Sequence, residues 1–121
     1  MKKIKLCLIG TGKMGSEYAK VIQSINHKAI ITDVLGRNLS KTRKFASHYK
    51  IVNFHNTFKN IKKVDAFIIS VSEENLLKVL KKVVKYNLPT LIEKPLGINY
   101  QQSEKIYKLL HRKNFFFCCT E

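Results

Sequence analysis

No run in this sequence approaches the ~20 uninterrupted apolar residues that span a bilayer, so no membrane-crossing helix is expected. A cleavable leader is not expected either. Met1-Lys2-Lys3-Ile4 has a basic start, but the short apolar run after it ends in Gly10-Thr11-Gly12 and Lys13, not at a small-residue cleavage site. The opening reads as a β-strand and the location as cytoplasmic. Cysteine is sparse: Cys7, Cys118 and Cys119 show neither metal nor disulfide spacing, and neighbours on a strand point to opposite faces. Reduced, buried thiols are the expectation. Histidine is as thin. His27, His48, His55 and His111 fall at expected helix ends or loops without an acidic or cysteine partner at ligand spacing, which argues against a metal site or a catalytic imidazole.

Acidic residues are also scarce, eight against 23 lysines and arginines, for a net charge of +15. Such a balance suggests a polyanionic partner. The lysines are spread along the whole chain, however, and only Arg37, Arg43 and Arg112 carry the side chain that grips phosphates bidentately. Lys78, Lys81, Lys82 and Lys85 recur at helical spacing, as do Lys105, Lys108, Arg112 and Lys113; both sets are expected on solvated faces. Nucleic-acid binding is therefore not the favoured reading.

What is present is alternation. Strand and helix signals follow one another from end to end without repeat or linker, as expected for βαβ units in one α/β domain over residues 1–121, with a mainly parallel, doubly wound sheet. Strands are expected at Lys3 to Ile9, Lys28 to Leu35, Ile51 to Asn53, Val64 to Val71, Thr90 to Glu93 and Asn114 to Thr120. Helices are expected from Lys13 to Ser24, with Met14, Tyr18, Val21, Ile22 and Ile25 on one side, and from Lys41 to Tyr49, capped by Ser40. A third follows Ser72, with Leu76, Leu77, Leu80, Val83 and Val84 facing the core. A fourth runs to His111 behind an Asn99/Gln102 capping box.

Chemistry concentrates at Gly10-Thr11-Gly12-Lys13-Met14-Gly15, a G-x-G-x-x-G pattern that ends an apolar strand and opens an amphipathic helix. In that context Gly10 permits the tight turn, Gly12 lets the backbone approach a pyrophosphate, and Gly15 lets helix and strand pack closely. The residue that reads the ribose is expected about 20 positions on. Asp33 is one candidate, although it precedes the strand end. The end itself is Gly36-Arg37-Asn38, where an arginine without a carboxylate favours the 2′-phosphate of NADP. Both cofactors stay open, with a lean to NADP over NAD.

Taken with Asp65-Ala66-Phe67-Ile68-Ile69-Ser70-Val71-Ser72 and Glu93-Lys94-Pro95-Leu96-Gly97, the chain resembles the N-terminal, NAD(P)-binding part of the Gfo/Idh/MocA oxidoreductases. The resemblance implies that Lys94 lies beside the nicotinamide as the catalytic cation, oriented by Glu93, with Pro95 shaping the turn. It places Ser70 and Ser72 in the cofactor loop. It implies hydride transfer between nicotinamide and a hydroxyl or carbonyl of a sugar- or cyclitol-like substrate. The chain departs from the family at Ser70-Val71-Ser72 and Asn75, where members often have Thr-Pro-Asn and then a histidine. The family's second domain, which supplies most of the substrate pocket and dimer interface, has no counterpart within 121 residues. The expectation is a truncated or split form with little activity alone, or else a non-catalytic nucleotide-binding module completed by a homo-oligomer or another protein chain.

Overall fold

In a computed structural model of the chain, residues 2–93, 99–112 and 117–119 are described. Six strands form one parallel sheet: β1 (Ile4–Ile9), β2 (Ala29–Leu35), β3 (Asn53–His55), β4 (Ala66–Ile69), β5 (Thr90–Ile92) and β6 (Phe117–Cys119). Their order is β3-β2-β1-β4-β5-β6, so the winding direction reverses between β1 and β4. That is the switch point where open α/β sheets leave a crevice beyond their carboxyl ends. The register aligns those ends: Ile9 pairs with Leu35 and with Ile69, Leu35 with His55, and Ile69 with Ile92.

Period-two alternation divides the core between two faces. Cys7, Ile9, Phe67, Ile69 and Ile92 meet Leu76, Leu80 and Val83 of helix α3 (Glu73–Val83) and Ile106 and Leu110 of helix α4 (Tyr100–Arg112). On the other face, Leu6, Leu8, Val34 and Ile68 meet Ala19 of helix α1 (Lys13–Ser24) with Phe45 and Ala46 of helix α2 (Leu39–Tyr49). No helix among the described residues is long and apolar enough to cross a membrane.

Several local expectations change. The α1 face that turns inward is Gly15 and Ala19, with Tyr18 and Ile22 packed beside them, while Met14, Val21 and Ile25 stay exposed. Small residues let the helix lie close to the sheet, which tilts the larger apolar ones outward. Helix α2 starts earlier than expected, because Asn38, not Ser40, is the cap: its Oδ1 accepts from the Lys41 backbone N–H at 2.9 Å. Strand β3 starts later, because Lys50 takes the left-handed conformation and the Ile51 N–H returns to the Ala46 carbonyl at 2.8 Å. Ile51 is thus spent closing α2, and pairing begins at Asn53. Ser72 sits at the α3 N-cap as expected, but its hydroxyl is taken by the Asn75 side chain at 2.8 Å. Asn99 caps α4 through the Gln102 N–H at 2.9 Å.

Candidate functional site

The glycine turn is shaped by lack of room. Gly10 has φ +115, a conformation that side chains rarely adopt, and a Cβ there would lie 2.3 Å from the Ser70 carbonyl oxygen. A Cβ on Gly15 would lie 2.3 Å from the Gly10 carbonyl oxygen, so the first turn of α1 rests on the turn that precedes it. Gly12 differs: nothing lies within 4 Å of its Cβ position. Gly12 is also the N-cap of α1, where no side chain caps the helix and no acid occupies the first turn. An uncapped, open helix N-terminus carrying partial positive charge matches what a pyrophosphate needs.

Around this turn opens a cleft of about 520 Å³, within the ~300–1,000 Å³ range of small-molecule sites. Its floor is Ile9, Gly10, Thr11 and Gly12 after β1, and one side is Leu35, Gly36 and Arg37 at the end of β2. Asn56, Thr57 and Phe58 enter after β3, and Ser70, Val71 and Ser72 after β4. The far wall is α3, through Asn75, Lys78, Val79 and Lys82. The loop after β3 is held in place by Tyr86, whose hydroxyl is 3.2 Å from the Phe58 carbonyl and 3.1 Å from that of Ile61. Ser70 closes the floor, its N–H donating to the Ile9 carbonyl at 2.8 Å.

The sequence candidates therefore separate. Gly10, Thr11, Gly12, Gly36, Arg37, Ser70 and Ser72 line one cleft, whereas Lys13, Met14 and Gly15 belong to α1 behind it. Asp33 is buried and turned elsewhere. Its carboxylate lies 2.7 Å from His55 Nε2 and accepts from the Thr32 hydroxyl at 2.7 Å. An irregularity in the β1–β2 register skips Thr32, placing Asp33 opposite Cys7. Burial, aided by the Asp33 charge, pushes the Cys7 thiol far up and keeps it neutral. His55 thus has an acidic partner, contrary to expectation; the two are 22 residues apart, beyond the reach of local spacing.

Glu93 follows β5, its N–H donating to the Ile69 carbonyl at 2.9 Å and its carboxylate accepting the Tyr18 hydroxyl of α1. Lys94, Pro95, Leu96 and Gly97, and the Phe115-Phe116 pair, lie outside the described residues, as do the side chains of Cys118 and Cys119. Lys78 and Lys82, expected on a solvated face, are exposed and at the same time line the cleft; spacing of lysines on a helix does not distinguish the two.

Strand-end carboxylates do not enter the cleft from β2. Asp33 is held by His55, and a Cβ at position 36 would stand 2.3 Å from Thr42 Oγ1, which is buried and donates to the Asn38 carbonyl at 2.7 Å. The residues present fit a dinucleotide: an open helix N-terminus for the pyrophosphate, an apolar stretch of Phe58, Val71 and Val79 for a flat ring, and cations on two walls.

Comparison with known proteins agrees. The family profile for the Gfo/Idh/MocA oxidoreductases, described as an oxidoreductase family with an NAD-binding Rossmann fold, matches residues 4–119. No curated protein matches in sequence. Among solved structures, a putative NADPH-dependent oxidoreductase from Desulfitobacterium hafniense superposes with a TM-score of 0.87 at 18% identity, covering 98% of this chain and 35% of that one. The WlbA dehydrogenase from Bordetella pertussis, in complex with NADH and UDP-GlcNAcA, gives 0.85 at 13% identity over 98% and 37%. The scyllo-inositol dehydrogenase from Lactobacillus casei gives 0.83 at 17% identity over 98% and 36%. This chain spans about a third of the length of those relatives. At such identities the likeness establishes the fold, and the profile establishes the family: the chain belongs to the Gfo/Idh/MocA oxidoreductases and comprises their NAD-binding Rossmann domain.

Proposed function

We propose that this domain holds NADP in preference to NAD, for hydride transfer to or from a sugar- or cyclitol-like hydroxyl or carbonyl. The observation that carries the cofactor preference is the β2 end of the cleft, which offers Arg37 and no carboxylate. A carboxylate there would accept hydrogen bonds from the ribose diol of NAD and repel a 2′-phosphate; a guanidinium does the reverse. Gly10 and Gly12 receive the pyrophosphate, with Thr11, Gly36, Ser70 and Ser72 around it; Lys13, Met14 and Gly15 place the helix end that faces it.

Bound nicotinamide supplies a carbon that accepts or gives the hydride. Lys94, by its match to the family's Glu-Lys-Pro motif, is the cation placed at the reacting oxygen, where it lowers the cost of developing negative charge. Glu93, by the same motif, is its positioning neighbour, and the Glu93 carboxylate is itself tied to α1 by the Tyr18 hydroxyl. Substrate enclosure needs a second wall, which the family's other domain or a partner chain provides. The 121 residues by themselves bind cofactor and turn over little, because proximity and water exclusion are incomplete.

The test is a titration with NADPH and NADH, following nicotinamide fluorescence at about 0.15 M salt to damp general attraction by a cationic protein. A Gly12→Asp variant runs alongside, placing a negative charge at the open helix end. Saturable binding, tighter for NADPH and lost in the variant, is the expected result. Binding of neither nucleotide, or undiminished binding by the variant, overturns the reading.

A further inference from the structure

The cleft carries more positive charge than a pyrophosphate calls for. Among the described residues its lining includes Arg37, Lys78 and Lys82 and no aspartate or glutamate. None of these three forms an ion pair among the described residues, where the pairs are Lys20–Glu17, His55–Asp33 and Lys108–Glu104. Lys78 and Lys82 are one turn apart on α3 and share a face. Counting from the Ser72 N-cap at about 1.5 Å per residue, they stand roughly 9 and 15 Å along the helix, well away from the loops that ring the glycine turn. The pyrophosphate end of the site therefore does not account for them.

Resting on the proposed cofactor reading, we infer that Lys78 and Lys82 are specificity-determining residues. Together with Arg37 they seat the third phosphate, on the adenosine half of the dinucleotide, from the wall opposite β2. A phosphomonoester carries about −1.5 to −2 charges at pH 7, more than one guanidinium neutralises. Cations on facing walls also set the width of the pocket that the ester must fit. Phe58 and Val79, in the same lining, supply apolar surface for the base. Two neighbouring lysines, Lys81 of α3 and Lys85 of the 3-10 turn after it (Val84–Tyr86), are exposed and lie outside the lining, so the division within this basic stretch is itself informative.

Two small probes isolate the third phosphate: adenosine 2′,5′-bisphosphate and 5′-AMP, measured by calorimetry at constant ionic strength. The unmodified chain is expected to bind the bisphosphate about tenfold more tightly, the scale of a few exposed charge pairs. In K78Q/K82Q that preference falls to about threefold or less, with 5′-AMP affinity unchanged within about twofold. K81Q/K85Q removes the same net charge from α3 and the 3-10 turn that follows it, and retains the full preference. A preference that survives K78Q/K82Q, or falls equally in K81Q/K85Q, overturns this inference alone. If the unmodified chain shows no preference between the probes, the proposed NADP preference fails together with this inference. If it binds neither dinucleotide nor probe, the cofactor reading fails with it.

Discussion

The two ends of the cleft are made from different materials. Around Gly10, Gly12 and Gly15 the site is backbone: one glycine with φ +115, another whose missing Cβ leaves α1 resting on the turn, and a third facing open space. Around Gly36, Arg37, Lys78 and Lys82 it is side chain, mounted on a strand end and a helix whose own packing lies elsewhere. The first end is inseparable from the fold, since α1 packs on β1 only if that turn is made. The second end can be rewritten while the fold stands. A generic nucleotide grip is therefore fixed early in such a domain, and the choice among nucleotides is left to replaceable groups.

The largest expected effect tests the backbone end. Gly10→Ala combines a left-handed φ with a Cβ 2.3 Å from a backbone oxygen, neither of which relaxes locally. A loss of about 3 kcal/mol or more is expected from strain and overlap together. The same substitution at Gly12 meets nothing within 4 Å, so stability should change by less than about 0.5 kcal/mol while dinucleotide affinity falls. Urea denaturation of both variants, paired with nucleotide titration, reads the two quantities separately. Equal stability losses at both positions would erase the distinction between a glycine needed by the fold and one needed by the ligand.

At the side-chain end the corresponding test is Gly36→Ala, whose Cβ would meet side chains only, Thr42 Oγ1 at 2.3 Å as the severe overlap and Thr11 Cγ2 at 3.1 Å as a lesser one. Crowding of this kind costs roughly 1–3 kcal/mol. In a Thr42→Ala background that atom is gone, and the added cost of Gly36→Ala should drop below about 1 kcal/mol. A double-mutant cycle in chemical denaturation measures this coupling directly. Additive losses would mean that Thr42 is not what keeps position 36 free of a side chain, and the argument for an acid-free β2 end would weaken accordingly.

Legibility in the sequence follows the same division. The glycine turn could be read because G-x-G-x-x-G between an apolar strand and a helix has few other uses, and alternation gave the parallel sheet without further help. On α1 the periodicity is right for Tyr18 and Ile22, which pack against the core, but Gly15 and Ala19 bury more completely and Met14, Val21 and Ile25 stay exposed. The pairing of Asp33 with His55 depends on a register irregularity at Thr32 and on β3 lying beside β2, neither of which has a local signal. Lys78 and Lys82 were hidden for a different reason: a solvated lysine and a lysine at the lip of a cleft obey the same helical spacing. Gly10, Thr11, Gly12, Gly36, Arg37, Ser70 and Ser72 line one cleft because the strand ends bring their loops together; the role of Lys94 rests on its motif alone.

The smallest effect concerns the residue that links Arg37 to α2. Asn38 caps that helix through the Lys41 N–H, and its carbonyl also accepts the Thr42 hydroxyl at 2.7 Å, so one residue fixes both the helix start and the atom facing Gly36. Asn38→Ala should cost about 1 kcal/mol, the usual value of a side-chain cap, while Ser40→Ala, inside the first turn, should cost almost nothing. Thermal denaturation of the two variants distinguishes them, since 1 kcal/mol moves the midpoint of a domain this size by roughly 4 °C. If the side-chain end is independent of the backbone end, Asn38→Ala should also leave 5′-AMP binding intact while loosening the hold on the bisphosphate, because only Arg37 gains freedom. A parallel loss for both ligands would show that the two ends move together, and that the cleft is one mechanical unit instead of two.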